Sequence, residues 1–425
     1  MAHDTTSVET PFARFESAPR GLMGASIAFI LIGIAAFAGA LINDADRAWH
    51  AYLFNWLFFL SIAQGSVIFA VMVTITRGAW SRNIRRIALA FVTYLPIAYL
   101  LMIPLFLGAS HIFPWLHEPV PGKDAYLNIP FLVARNMIGL GILFTLAILF
   151  ARKALRPDLG LMKAHAGKHA GLWNSLTAGW AGQEAEEMRS YRAIAKLGPA
   201  IAVFWAIALS VVAWDFVMSL EPHWFSTLLG PYYFMGGLLG GLAATAIATR
   251  AVTNRLGVAH VVEESHWHDL AKLTFGFVVF WAYLFFSQYI VIWYGLLPGE
   301  QQFVIHRFTA PYGLIAKLVF TFIWIIPFFG LLSATAKKRP HIFTLFCGLI
   351  LVGLWLERYL LVYPSLHVGV ESLPLGWQEL GVGLMFLGLM LAALSWFLTR
   401  FPVFQAWQPV SEVELKGVPV EVGAA

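Results

Sequence analysis

Residues 197–220 read LGPAIAVFWAIALSVVAWDFVMSL, with Asp215 as the only charge. A helix that crosses a bilayer needs roughly 20 apolar residues at about 1.5 Å each, and this run supplies them. Lys196 stands before it, and Glu221-Pro222-His223-Trp224 follows it. Nine further runs of this kind lie near 21–42, 49–75, 87–107, 129–150, 232–249, 270–294, 306–332, 341–362 and 379–398. Barrel strands would give short alternating segments, which these are not. The chain therefore reads as an all-α integral membrane protein of about ten transmembrane helices. Composition agrees: of 425 residues, 59% are hydrophobic and 12% charged, roughly half the charged share of a soluble domain.

The connections between runs give the expected topology. Alternate connections hold Arg77, Arg82, Arg85 and Arg86; then eight basic residues between Arg152 and Lys196; then Arg250 and Arg255; then Lys337, Lys338 and Arg339. The intervening ones hold only Arg47 and Lys123. This asymmetry predicts the basic side as cytoplasmic, with both termini there. It also accounts for the net charge of +5 without invoking nucleic acid. The first run is too long for a cleaved signal peptide and reads as a retained span with tail 1–20 inside. The longest connection is 151–196. Its end, 183–196, reads as an amphipathic surface helix, either a solvated connector or a binding module.

Ligands for redox metals are missing from the pattern. Cys347 is the single cysteine, which excludes a four-thiolate cluster, an internal disulfide and a C-x-x-C-H haem site. The histidines fall at or beyond the ends of the runs, whereas a membrane haem needs them at depth. No metal and no cofactor is expected on this chain itself.

Charged residues at depth are costly and usually functional. Asp215 lies about two turns from the outer end of its run, and Arg135 lies at similar depth in 129–150. Antiparallel neighbours would bring them together, either as a structural ion pair or as a proton-accepting carboxylate poised by an arginine. Glu221 and His223 follow at the outer mouth, as a proton relay or as ordinary interfacial residues. Glu357 and Arg358 sit near the outer end of 341–362. Adjacent residues point different ways on a helix, so Arg307, opening 306–332, is the expected partner of Glu357. Lys317 lies deeper in 306–332 and needs a partner or a water chain.

On the inner side His268, Asp269 and Lys272 open the 270–294 run beside Glu263, Glu264 and His266. His266 and His268 do not share a helix face, so a protonatable entrance or a partner contact fits better than a metal site. The acids also suit a helix N-terminus. Uncharged polar residues within runs, Asn55, Gln64, Ser287, Gln288 and Tyr289, read as glue between helices, or as the lining of a water wire or quinone pocket.

Three stretches carry a family resemblance. They are HAYLFNWLFFLS at 50–61, VMSLEPHWFST at 217–227, and HDLAK at 268–272 with FWAYLFFSQY at 280–289. They resemble the F subunits of bacterial alternative complex III, a quinol:cytochrome c oxidoreductase, within the polysulfide-reductase-type (NrfD-like) membrane family. The resemblance runs from His50 to the Glu357-Arg358-Tyr359 segment. It implies two four-helix bundles, at 48–220 (with connection 151–196) and 232–362. It also implies peripheral spans at 21–42 and 379–399 and a C-terminal tail at 400–425. It implies a respiratory electron-transport complex in the bacterial cytoplasmic (inner) membrane. Partners there are a C-type sister membrane subunit, an iron–sulfur subunit and multihaem cytochrome c subunits. Those partners carry the haem c and iron–sulfur clusters. This chain would be a scaffold, a quinone- or menaquinone-binding subunit facing the quinol pool, and a proton conductor. It would be a non-catalytic or quinone-binding subunit of the oxidoreductase, with the C-type sister as the better candidate for quinol oxidation. The alternative is a secondary transporter, with Gly236-Gly237 and Gly240-Gly241 as a helix break, though no inverted counterpart appears. Those glycines equally suit close helix packing.

Overall fold

The computed structural model describes residues 12–407, so the tails at 1–11 and 408–425 lie outside the described residues. It is 81% helix with no strand among the described residues, and ten helices are long and apolar enough to cross a membrane. They are α1 (Arg20–Asn43), α2 (Ala45–Ile75), α3 (Ala79–Leu107), α4 (Ile129–Leu161), α5 (Gln183–Leu220), α6 (Leu229–Arg255), α7 (Glu264–Gly295), α8 (Gly313–Gly330), α9 (Pro340–Leu366) and α10 (Trp377–Arg400).

Local chemistry sets their ends. The Asp44 carboxylate accepts from Arg47 N–H to open α2, and the Asn128 side chain accepts from Phe131 N–H to open α4. The amphipathic stretch expected at 183–196 is continuous with the following span, in one helix from Gln183 to Phe216. Its Glu186 is buried against Arg156 of α4 at 2.6 Å. The third span is a chain of short turns, because Pro96 and Pro104 remove backbone donors.

α2 is the hub, packed against α1, α3, α5, α6, α9 and α10 and buried along almost its whole length. The contact with α6 is backbone against backbone. A Cβ on Gly65 would stand 1.9 Å from the Gly237 carbonyl oxygen, and one on Gly241 would stand 2.1 Å from the Gly65 carbonyl carbon. Close packing therefore explains this glycine stripe, with no break in α6. α4 packs on α5 and α3, while α7 and α8 pack with α6 and α9. α1 and α10 lie along each other to one side.

The eighth span corrects the sequence reading. The expected run 306–332 is two elements: a short helix Pro298–Phe308 and then α8 from Gly313. Pro311 cannot donate to a helix ladder, and the chain turns there. His306 and Arg307 therefore lie outside α8. Lys317, expected deep, stands about one turn inside the end of α8 and is exposed.

At the end holding the basic connections, the terminal segments tie off the molecule. Phe15 N–H donates to Leu398 O at 3.2 Å, and Val403 N–H donates to Ala13 O at 2.8 Å. The fully buried Asp158 carboxylate pairs with Arg86 and accepts from the Ala406 and Trp407 N–H groups at 2.9 Å.

Candidate functional site

Two buried polar centres occupy the end opposite the basic connections. The first joins α4 to α5. Asp215, with no exposed surface, accepts from Arg135 Nε and Nη2 at 2.7 Å, Tyr126 Oη at 2.9 Å and Asn136 Nδ2 at 2.5 Å. Arg135 also donates to Tyr126 O at 2.9 Å. The expected meeting of Asp215 and Arg135 is thus present. Four donors fill the carboxylate's accepting positions, so it needs neither water nor ligand to be satisfied.

The second centre is a cavity of about 380 Å³ among α6, α7, α8, α9 and the 298–308 helix. Trp281, Phe285, Phe303, Phe308 and Phe320 give it aromatic walls, and its polar lining includes Tyr232, Gln288, Tyr289, Arg307, Lys317 and Glu357. Glu357 accepts from Trp281 Nε1 at 3.0 Å and pairs with Arg358, which donates on to Tyr233 O at 2.9 Å. The expected Arg307–Glu357 pair is not formed. Arg307 pairs with Glu221 at 3.1 Å and donates to Ser365 Oγ at 2.7 Å. The arginine chain is long enough for Arg358 to fold back on its own neighbour, which simple angular spacing along a helix does not anticipate. Burial pulls the Arg307 guanidinium below its ordinary range, while Glu221 pulls it the other way.

Gln288 and Arg307 line this cavity, and the buried Gln288 Nε2 and Arg307 Nε have no partner among the described residues. A buried donor left unpaired costs about 1–3 kcal/mol.

The remaining candidates are dispersed. Ser287 lies half-buried beside Gln288 on α7, and His223 is exposed. Asn55 is glue: it donates to Ala51 O and Glu379 O and accepts from Trp355 Nε1. Gln64 is buried in α2 with its Nε2 unpaired. At the basic end, Asp269 pairs with Lys272 at 2.8 Å, while His268 is half-buried beside them. Among the described residues no group of three or more His, Cys, Asp or Glu could hold a metal ion.

Sequence reasoning passed over Glu379 and the His50–His367 pair. Glu379, fully buried, pairs with Arg47 at 2.7 Å and accepts from Tyr363 Oη at 2.7 Å, tying α2, α9 and α10. His50 Nε2 lies 2.8 Å from the His111 carbonyl, so it carries the proton there. His50 Nδ1 then accepts from His367 Nε2 at 2.9 Å. Burial holds the His367 imidazolium below its ordinary range. All these residues sit at run ends, where a lone charge or imidazole looks interfacial. The one available signal was Glu379 in the first turn of α10, a span whose only other charge is Arg400 at its far end.

Compared with known proteins, the chain matches no family model and no curated protein.

Proposed function

We propose that this chain is a membrane subunit of a bacterial quinol-oxidising respiratory complex, with the aromatic cavity among α6–α9 as a quinone site. The pair of unpartnered donors, Gln288 Nε2 and Arg307 Nε, carries the reading. A quinone offers two ring carbonyl oxygens as acceptors, a flat ring for Trp281 and Phe285, and an isoprenoid tail for the apolar lining. Glu357 and Tyr232 stand on the same wall as protonatable groups beside the ring. The donors bind and orient, and Glu357 takes or gives the proton that accompanies quinol chemistry. Electrons go to partner subunits carrying haem c and iron–sulfur clusters. The basic connections face the cytoplasm, as do both termini.

The test is quinone retention. The full chain, purified in mild detergent, is extracted and its bound quinone quantified, for wild type and Gln288→Leu. The proposal expects near-stoichiometric quinone in the first and a loss of about tenfold in affinity for the second. Equal retention by both proteins would remove the site.

A further inference from the structure

A second cavity lies beyond the Trp224–Phe303 stack. It is a groove of about 360 Å³ between the 123–127 loop, the end of α5 and the 222–227 connection. Trp214, Trp224 and Phe225 give it aromatic walls, and Lys123 stands on its rim. Trp214 and Phe225 are both exposed. The groove thus opens outward at the end of a span, at the level where a bilayer's headgroups lie.

One residue that lines this groove carries a buried donor with no acceptor. Trp224 is 1% exposed, and its Nε1–H has no partner among the described residues. The ring is stacked on Phe303 at 3.6 Å between centroids and 4° between planes, which fixes its plane. Beside it, Lys123 donates to Pro222 O, which leaves two of its three ammonium hydrogens to spare. Tyr126 forms another wall and is held in place by its bonds to Asp215 and Arg135. The neighbouring acid, Asp124, lines a separate depression with Asn128.

We propose that this groove holds an anionic phospholipid. A headgroup oxygen accepts from Trp224 Nε1 and Lys123, and an acyl chain lies along Trp214 and Phe225. Charge selects the occupant: the rim offers an ammonium and the floor a buried N–H, which together suit a phosphate better than a neutral carbonyl. A free phosphate ion would satisfy both donors and leave the aromatic walls bare. A quinone would use the N–H and gain nothing from the ammonium. The groove shares no lining residue with the quinone cavity, although Trp224 stacks on Phe303 of that cavity's wall.

The experiment measures lipid binding by the full chain stripped of lipid in detergent. Native mass spectrometry and thermal shift are read during titration with short-chain phosphatidylglycerol. Matched arms receive short-chain diacylglycerol, inorganic phosphate or decylubiquinone. Wild type is expected to retain one phosphatidylglycerol and to melt higher with it. Trp224→Phe, which keeps the stack on Phe303 and removes only the donor, is expected to bind about tenfold more weakly. Lys123→Gln is expected to lose the preference for phosphatidylglycerol over diacylglycerol. Gln288→Leu is expected to bind the lipid as wild type does, so failure of the quinone reading and failure of this one are separable. Four results would overturn the proposal: undiminished binding by Trp224→Phe, an equal shift from diacylglycerol, an equal shift from phosphate, or decylubiquinone binding that Trp224→Phe abolishes. Should a variant not fold, the wild-type arms alone decide, because phosphatidylglycerol must exceed the other three.

Discussion

Asp215 and Gln288 are both buried polar residues on spanning helices, and their surroundings give them opposite meanings. Asp215 has every accepting position filled, which makes it a tie between α4 and α5. Asp215→Asn leaves Arg135 without its anion, and breaking a buried pair of this kind costs about 3–5 kcal/mol. The check is a melting curve, which should fall sharply, with quinone retention unchanged in the protein that remains folded. Gln288→Leu removes an unpaired donor instead, so in quinone-free protein its melting curve should stay level or rise, while quinone retention falls. His367 gives a pH dependence with a definite sign. Burial lowers its folded-state value below the ordinary 6.5, so the unfolded chain takes up the proton first as pH falls. Its contribution is complete above about pH 6.5 and fades below it. Thermal melts at pH 7.5 and 5.5 should differ more for wild type than for His367→Gln. At this scale the sequence disclosed the Asp215–Arg135 pair, but neither the partner of Arg307 nor the shallow place of Lys317. Arg307 chose Glu221 over Glu357 because a turn at Pro311 set it on a separate helix.

Elements were largely readable, because lipid permits only long uncharged runs with satisfied backbones. Misreadings came where a run hides a corner. Hydropathy sees 306–332 as continuous, since Phe308, Ala310 and Tyr312 are as apolar as a span, while the backbone breaks at Pro311. α8 has a second irregularity, a π segment at Thr321–Ile325 packed against Gly353 of α9. Pro327, which lies just beyond it and has no N–H to donate, is its mark in the sequence. The contact between α2 and α6 yields the firmest prediction here. Gly65→Ala sets a methyl into the Gly237 carbonyl, and the helices must separate. Overpacking of this kind costs about 1–3 kcal/mol or more. Gly139→Ala, where a Cβ meets nothing within 4 Å, is the control and should be neutral or stabilising. Paired melting curves decide it.

Across the whole molecule, the alternation of basic connections sets the proposed orientation, and thiol labelling tests it. Cys347 is buried, so an introduced cysteine reports with little background. In intact cells, a membrane-impermeant maleimide should label Glu118→Cys and spare Arg152→Cys; the reverse would invert the topology. The terminal spans carry a further consequence. α1 buries only a narrow strip, Ser26, Gly33, Ala36 and Ala40, and packs most closely on α10, where Gly33 meets Met385 and Ala36 meets Gly381. During synthesis α1 therefore enters the bilayer long before its mate exists. It must idle in lipid while eight helices are threaded past it. A chain that stops before Trp377 leaves this small-residue face of α1 without its main partner.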